Sequence, residues 1–385
     1  MPLSRRPDHD VVILGGGLAG LSLAVRLARV PALRVLVIEP RREYRRDRTW
    51  CYWRVHDHPF GDAVAARWTS WEVMRADGGD TLRSVQSSAT LPYEMIPADR
   101  LYGAARAVLA AAPSVELWTD CRATAVKEEP DHVEVETERG PVRAPFVFDS
   151  RPPPAGAPGD LVQRFLGQEI RADRPVFDPG TVTLMDFAVP PRPGVVHFLY
   201  VLPTSPTTAL VEDTWLAPAD AELPDYRTSI RDYLGARFGV REYEVEFEEQ
   251  GAIPMSPGLQ AKAGSGRVIA IGTAGGAIKP SSGYGFLAIQ RMADALGRDL
   301  AAGRRPRPFE TRGPVMRWMD SVLLRALRDD PGEAPRLFAS LFANCPPEPL
   351  IRFLNDLGGP ADTARVIAAM PKGPMMAAAA AQGFR

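Results

Sequence analysis

Cysteine and histidine, the residues that build disulfide frameworks and zinc sites, are scarce in this sequence. The 385 residues include five histidines and three widely spaced cysteines: Cys51, Cys121 and Cys345. An odd number of cysteines at such spacings predicts neither a disulfide framework nor a zinc site, and it fits a reducing cytosol. We therefore expect no metal and a cytoplasmic location.

A large charge of one sign is also missing. The 46 lysines and arginines nearly balance the 47 aspartates and glutamates, which leaves a formal net charge of −1. A balanced charge provides no long-range attraction to phosphate backbones. We therefore expect no nucleic-acid partner.

Long hydrophobic runs are absent as well. No apolar run approaches the roughly 18–20 residues that a membrane-spanning helix requires. The first ten residues carry charges but no apolar core, so we expect no signal peptide. The sequence predicts a protein that is soluble or lies on a membrane surface, and its length is sufficient to bury a sizeable core.

The first forty residues contain a pattern typical of a dinucleotide-binding unit. A β-branched run, a glycine turn, a helical pattern and a second β-branched run follow one another. Gly15, Gly17 and Gly20 form G-x-G-x-x-G, which allows a tight turn, close approach of a pyrophosphate and tight helix–strand packing. Glu39 ends the second run and can accept hydrogen bonds from ribose hydroxyls. A fingerprint so near the N-terminus of a long chain favours FAD over NAD.

A second glycine-rich stretch, residues 272–285, lies between a buried run and a helical pattern. We expect its backbone amides to face the diphosphate or the flavin ring. Thr273 occupies a position at which many flavin hydroxylases carry aspartate, which argues against plain membership of that group. Four glycines of this stretch are candidate cofactor-binding residues: Gly272, Gly275, Gly276 and Gly283.

The remaining chain differs in pattern from region to region. Residues 41–92 look irregular, whereas residues 160–255 are strand-like and contain a hairpin between Val195–Leu202 and Thr208–Trp215. Residues 310–385 have helical patterns that prolines interrupt. We expect the low-complexity run Ala377–Ala381 to fray.

These patterns predict an α/β fold, with a Rossmann-like FAD-binding domain, an inserted β-rich substrate domain and a C-terminal helical region. A proline- and glycine-rich linker at 152–159 indicates a domain boundary. The expected bounds are 8–60, 92–158 and 262–305 for the FAD-binding domain, 61–91 and 159–261 for the substrate domain, and 306–385 for the helical cap.

Four stretches together resemble the bacterial lycopene β-cyclases. They are VILGGGLAGLSLAVRL near the N-terminus, Arg48-Thr49-Trp50, LPTSPTTALVEDTW at 202–215 and IGTAGGAIKPSSGYGF at 271–286. The first is shared with most FAD enzymes, and the last two are more specific. The resemblance implies redox-neutral, acid-catalysed cyclisation of lycopene ends to β-rings, giving β-carotene via γ-carotene. It also implies reduced FAD as cofactor, NAD(P)H as a transient reductant, and lycopene and related carotenes as ligands.

Glu212 and Asp213 are the candidate catalytic residues. They are adjacent near the end of an apolar strand, so their side chains point to opposite faces and only one readily enters a substrate pocket. The resemblance assigns proton donation to Glu212. A hydrocarbon lining would raise its pKa and keep it protonated, as a general acid requires. Asp213 would orient Glu212 or serve elsewhere.

Aromatic residues in and near the stretches that carry the resemblance are candidates for stabilising a carbocation. We expect this role for Trp50, Tyr284 and Phe286, with Tyr52, Trp53 and Trp215 as further candidates. Apolar stripes in the C-terminal helices more often form core, but an opening there would admit a hydrocarbon from a bilayer. Arg317, Arg325 and Arg328 would then meet anionic headgroups, at the inner face of the cell membrane.

Two alternatives remain open from the sequence. One is a flavin-dependent hydroxylase or isoprenoid reductase of the same fold, which would consume NAD(P)H in proportion to product. The other is a non-catalytic protein that binds flavin and carotenoid. Thr273 and the Val211–Thr214 motif argue against the first alternative.

Overall fold

A computed structural model describes residues 7–152, 160–222, 225–256 and 266–383. The linker expected at 152–159 and the domain boundary expected at 261–262 therefore fall almost entirely outside the described residues. The strands are β1 Val11–Leu14, β2 Val35–Ile38, β3 Thr49–Trp53, β4 Ala66–Trp68, β5 Ser70–Asp77, β6 Asp80–Ser87, β7 Tyr93–Pro97, β8 Val115–Trp118, β9 Ala123–Glu128, β10 Val133–Thr137, β11 Val142–Ala144, β12 Phe146–Asp149, β13 Leu161–Ala172, β14 Thr181–Phe187, β15 Val196–Pro203, β16 Thr208–Pro218, β17 Tyr243–Met255 and β18 Val268–Ala270. The helices are α1 Leu18–Leu27, α2 Ala98–Ala110, α3 Tyr226–Phe238, α4 Phe286–Ala301, α5 Pro314–Asp329, α6 Ala334–Asn344, α7 Pro347–Leu354, α8 Pro360–Ala369 and α9 Lys372–Gln382.

A five-stranded parallel sheet carries the N-terminal motif. Its strand order is β18-β12-β1-β2-β8, so strands from three distant parts of the chain complete the unit begun by β1 and β2. Every residue of β1 and β2 is buried, as expected for a parallel sheet covered on both faces. Helices α1, α2 and α4 cover one face, and the small antiparallel sheet β11-β10-β9 covers the other. The predicted Rossmann-like α/β fold is confirmed.

A seven-stranded mixed sheet is the centre of the second part of the fold. Its order is β17-β13-β16-β15-β14-β5-β6. The predicted hairpin is present as β15 and β16, which pair from Val196 and Leu216 to Pro203 and Ala209. Helix α3 packs on one face of this sheet, and the C-terminal helices pack on the other. Neighbouring residues on a central strand therefore face different cores.

The prediction of an irregular segment at 41–92 is wrong. This segment forms β3 to β6, and β5 pairs in parallel with β14 of the large sheet. Because β14 lies more than 100 residues farther along the chain, the pairing that stabilises β5 is a tertiary contact. Local sequence periodicity contains no information about such a contact. The expected fraying at Ala377–Ala381 is also wrong, since these residues belong to α9, and alanine has the highest helix propensity.

The C-terminal helices pack mainly through apolar side chains. Leu327 of α5, Leu337 of α6 and Ile351 of α7 are each at most 1% exposed, within one core that includes Trp71 of the large sheet. In the described part of the chain, no helix combines the length and the apolar character needed to span a bilayer. The apolar stripes of α6 and α7 therefore belong largely to the core.

Candidate active site

The first glycine turn forms a cradle at the carboxyl end of β1. Gly15 has a φ of +93°, which favours glycine. A Cβ built on Gly20 would lie 1.9 Å from the carbonyl oxygen of Gly15, so only glycine fits at this point of α1. A Cβ built on Gly17, by contrast, would meet no atom of the described residues within 4 Å. The start of α1 therefore faces open space, where a phosphate can meet the helix N-terminus.

Glu39 lies next to this cradle and is already hydrogen-bonded. One carboxyl oxygen accepts from the backbone amide and Nε of Arg41 at 2.8 Å, and the other accepts from the Gly16 amide at 2.6 Å and from Arg41 Nη2 at 3.2 Å. These bonds occupy the acceptor capacity of a carboxylate. Arg41 is partly exposed, so the expected ribose contact of Glu39 requires this guanidinium to turn away. The Tyr44 hydroxyl is buried, has no hydrogen-bond partner among the described residues, and lies beside Gly16.

The second glycine stretch crosses the start of α1. Gly272, with a φ of +66°, would bring a Cβ to 2.8 Å from the Ala19 Cβ. Gly276 has a φ of +75°, and its carbonyl oxygen accepts from Arg312 at 2.8 Å. At the other end of the stretch, a Cβ on Gly283 would lie 3.6 Å from Gln163 of the large sheet. The stretch therefore runs from the dinucleotide cradle to the second sheet.

These features suit a bound dinucleotide. Space beside Gly17, the helix N-terminus of α1 and the unpartnered hydroxyl of Tyr44 are what a diphosphate and its attached ribose require. The residues predicted to bind the cofactor from the first stretch, Gly15, Gly17 and Gly20, adjoin Gly272 of the second. The cradle therefore fits FAD.

A cavity of about 270 Å³ lies between the large sheet, the second glycine stretch and the C-terminal helices. This volume is close to the lower limit of small-molecule sites, about 300 Å³. Most of its lining is apolar or aromatic, including Phe198, Leu216, Met255, Trp53, Tyr200, Tyr284, Phe338 and Phe353. Exposed Ile367 and Met376 also line it, so the cavity reaches the surface between α8 and α9.

Glu212 lies on the face of β16 that this cavity borders. Tyr200, directly opposite Glu212 on β15, lines the cavity, as does Leu216 farther along the same face of β16. Burial raises the pKa of Glu212 to about 8, and the nearby Glu249 carboxyl adds to this shift. The Thr214 hydroxyl donates a hydrogen bond to Glu212 at 2.8 Å, which opposes the shift. Although Glu212 is half-buried, we therefore expect its carboxyl to stay protonated at neutral pH on the face that borders the apolar cavity.

Asp213 points to the opposite face of the sheet. It is fully buried, and its Oδ1 accepts from Trp215 Nε1 at 3.0 Å and lies 2.7 Å from His197 Nε2. The His197 and Trp215 rings stack with centroids 4.5 Å apart. Asp213 and Trp215 thus belong to a polar cluster that faces away from the cavity.

The other aromatic candidates divide into two groups. The rings of Tyr284 and Trp53 line the cavity and contact each other, with centroids 5.4 Å apart. Phe286 stacks on Tyr52 at 4.2 Å in the core of the FAD-binding fold. Trp50 packs edge-on against Tyr102 at the border of the same core. Trp50, Tyr284 and Phe286 are the first candidates for cation stabilisation. Of these three described residues, only Tyr284 borders the cavity.

Sequence reasoning missed three side chains at this site. The Tyr93 hydroxyl lies 3.5 Å from that of Tyr284, and Tyr200 interacts with the same group. Glu249 lies two strands away from Glu212 on the same face of the sheet, in a strand rich in glutamate, and the pattern does not single it out because most of its neighbours are exposed. Tyr200 was detectable in principle, since it alternates with Phe198 on the inward face of β15.

Comparison with known proteins gives a consistent result. Residues 10–380 match the model of a family described as lycopene cyclase protein. The chain is 27% identical to a lycopene beta-cyclase of Pantoea ananas, with 97% of each chain covered. It is 28% identical to a lycopene beta-cyclase of a Paracoccus species, with 75% of this chain and 73% of the relative covered. A flavoprotein/dehydrogenase of Cytophaga hutchinsonii has a similar fold, with a TM-score of 0.62, 14% identity, and 97% and 98% of the two chains covered.

Proposed function

Since this chain belongs to the lycopene cyclase protein family, we propose that it closes the open ends of lycopene into β-rings. The feature that supports this activity best is the Glu212 carboxyl, whose pKa is raised to about 8, on the strand face that borders an apolar cavity lined by aromatic rings. An acid in such a setting suits protonation of an alkene. It does not suit the transfer of oxygen or hydride, which the hydroxylase and reductase alternatives require.

Glu212 is the proton donor in this proposal. Its carboxyl gives a proton to the terminal double bond of the polyene, a ring carbon–carbon bond forms, and the resulting cation loses a different proton. One proton is added and one is lost, so the product is an isomer of the substrate. The hydrogen bond from Thr214 remains available to the Glu212 carboxylate after proton transfer.

The aromatic rings at the cavity stabilise the cation. Tyr284 and Trp53 present their rings to the cavity, and aromatic faces attract positive charge. The hydroxyls of Tyr93 and Tyr284 lie together at this end, and burial raises the pKa of both groups. These tyrosines therefore remain neutral and provide dipoles without competing as acids.

The glycine cradle holds FAD in this proposal. Gly15, Gly17 and Gly20 would receive the diphosphate at the start of α1, and Gly272 with Gly276 would lie along the flavin side. Bound FAD in its reduced form would supply negative charge that favours the cationic transition state. We propose NAD(P)H as the transient source of that reduction.

The test is anaerobic incubation of the flavin-loaded protein with lycopene in liposomes. The flavin is reduced chemically beforehand, and products are separated by chromatography and weighed by mass spectrometry. We expect an isomer of unchanged mass with reduced flavin, none with oxidised flavin, and a loss of at least about 100-fold in Glu212→Gln. Product of changed mass, or NAD(P)H consumed in proportion to product, would contradict the proposal.

We also propose that the substrate enters from a membrane surface between α8 and α9. Ile367 and Met376 are 52% and 69% exposed and border the cavity opening, next to Lys372. Apolar side chains beside a cation favour contact with an anionic bilayer. Of the arginines expected to contribute, Arg325 is paired with Asp329 of the same helix at 2.6 Å.

Vesicle flotation tests this entry route, with phosphatidylcholine alone and with phosphatidylglycerol added. We expect binding to weaken in the double variant Ile367→Ser, Met376→Ser. The matched control is Leu82→Ser, Val85→Ser, which changes two exposed apolar residues on β6. Equal binding of both double variants would rule out the α8–α9 opening as the contact.

A further inference from the structure

The residue between Glu212 and Glu249 in the large sheet is a glycine. Gly167 of β13 pairs with Glu212 of β16 on one side and with Glu249 of β17 on the other. Residues directly opposite one another in antiparallel strands share a face. The two glutamates therefore point to the same face as the cavity-lining Tyr200.

The absent side chain at Gly167 leaves the two glutamates adjacent. A Cβ built there would lie 3.4 Å from Glu249 Cγ and 3.7 Å from Glu212 Cβ, within contact of both. The same Cβ would lie 3.3 Å from Leu210 Cδ1, so a larger side chain at this position would press on the side chains of both strands. With glycine, residue 167 places no side chain between the two glutamates, and the Glu249 carboxyl raises the pKa of Glu212.

The surroundings of the two acids differ. Glu249 is 6% exposed, accepts from Thr49 Oγ1 at 3.0 Å, and lies near Arg46 and Arg48, which lower its pKa, and Asp47, which raises it. Arg46 also pairs with Glu169 on β13. Burial dominates, so the pKa of Glu249 is raised to about 7.

Among the described residues, no cation is one of the groups that act on Glu212. It interacts with Thr214, the neighbouring Asp213 and the Glu249 carboxyl, and with the neutral Cys51 and Tyr200. The pKa of Glu249, about 7, lies below that of Glu212, about 8, so the negative charge develops first on Glu249 as pH rises.

We propose that Glu249 is a positioning residue whose negative charge keeps Glu212 protonated while the enzyme works. The proposal rests on the assignment of Glu212 as the proton donor. Glu249 itself neither gives a proton to the substrate nor accepts one from it. Its contribution is to extend the pH range in which Glu212 is able to donate.

The test is the pH dependence of the cyclisation rate with chemically reduced flavin. The rate of the unchanged protein should fall as pH rises through about 8, because Glu212 loses its proton. In Glu249→Gln the fall should occur on the order of one pH unit lower. At high pH the variant should therefore lose about tenfold in rate, while at pH 6 it should stay near the unchanged protein.

Two further variants separate charge from structure. Glu249→Asp keeps the charge, so its cyclisation rate should fall at nearly the same pH as that of the unchanged protein. Glu248→Gln changes the neighbouring residue, whose carboxyl accepts hydrogen bonds from Gln168 and Arg227. This control should leave the pH at which the rate falls unchanged. A rate that falls by the same factor at every pH in Glu249→Gln would overturn the proposal.

Infrared spectroscopy provides a second readout that does not require turnover. The protonated carboxyl band lost in Glu212→Gln should titrate at lower pH in Glu249→Gln than in the unchanged protein. If Glu212→Gln remains active, the assignment of the proton donor fails. If that variant is inactive but Glu249→Gln leaves the titration unmoved, only the role of Glu249 fails.

Discussion

Glu212 and Asp213 are neighbours in sequence with opposite environments. Glu212 faces the apolar cavity, and burial raises its pKa to about 8. Asp213 faces the other core, where Trp215 donates to it and His197 lies beside it. Two carboxyls of one strand thus acquire different chemistry because the alternation of the strand puts them in different cores.

At the scale of this residue, Glu212→Gln should change the pH dependence of stability. The pKa of Glu212 is raised from an ordinary 4.5 to about 8, which means that the folded protein favours the protonated carboxyl. The stability that the protonated carboxyl contributes is therefore fully present below pH 4.5 and is lost as pH rises through 8. Glutamine has no such dependence. We expect the variant to unfold a few degrees higher than the unchanged protein at about pH 9 and by a smaller margin at pH 5, measured by calorimetry. Parallel curves for the two proteins would contradict the raised pKa.

Asp213→Ala should affect folding more than chemistry. The change leaves Trp215 Nε1 and His197 without their buried acceptor, at a cost of about 1–3 kcal/mol in the free energy of unfolding. Urea unfolding measures this cost, and anaerobic turnover per bound flavin measures activity, which we expect to remain within about threefold. A fully stable but inactive variant would instead make Asp213 a participant in the reaction.

Among the elements, the turn into α1 and the 272–285 stretch depend most strictly on glycine. Gly20 is confined by the Gly15 carbonyl, and Gly272 by Ala19 of the same helix. The two elements are more than 250 residues apart in sequence, yet each restricts the other at the start of α1. Close backbone packing at this point forms the cradle in which we propose that FAD binds.

Gly20→Ala should therefore abolish flavin binding. A methyl group 1.9 Å from the Gly15 carbonyl oxygen forces the turn apart. Gly103→Ala in α2 is the matched control, because that helical glycine is exposed and has no atom within 4 Å of the new methyl. We expect the control to bind flavin normally and to gain about 0.5–1 kcal/mol in stability. Flavin absorbance after gel filtration is the measurement, and flavin retained by Gly20→Ala would contradict the assignment.

In the whole molecule, a buried ionic cluster joins the second glycine stretch to the C-terminal helices. Lys279 Nζ lies 2.7 Å from Asp356 and 3.0 Å from Asp320, all nearly inaccessible to solvent. Arg312 approaches both aspartates and donates to the Gly276 carbonyl. The C-terminal helices are thereby connected to the backbone of the cofactor cradle.

Lys279→Met should destabilise the whole protein and weaken its hold on flavin. Removing one partner leaves buried carboxylates short of positive charge, at a cost of about 3–5 kcal/mol. Arg325→Gln breaks an exposed pair with Asp329 and should cost less than about 0.5 kcal/mol. Denaturant unfolding and flavin release on dilution distinguish the two. Equal stability of both variants would show that the ionic cluster does not stabilise the contact between the second glycine stretch and the C-terminal helices.

Patterns of short range were sufficient for much of the fold. The βαβ unit, the β15–β16 hairpin and the C-terminal helices follow from periodicity and glycine placement, and the structure has them. The β5–β6 hairpin has a local signal that went unrecognised, since Asp77 pairs with Asp80 across Gly78 and Gly79. Strands β3 and β5 escaped prediction because they also pair with more distant strands: β5 with β14, and β3 with β7. Pairing of this kind is decided by the packed protein and leaves little local signal.

The sequence by itself predicted the glycine cradle from residue types at fixed spacings, and it predicted the family and Glu212 as the candidate acid through the resemblance of its motifs to the lycopene β-cyclases. Only the tertiary structure decided which face Glu212 shares with Tyr200, and that Gly167 brings Glu249 beside it. It also decided that Tyr284 and Trp53 line the cavity whereas Phe286 packs on Tyr52. The physical reason is that pKa values and cavities depend on burial and on neighbours from remote strands, which no local pattern encodes.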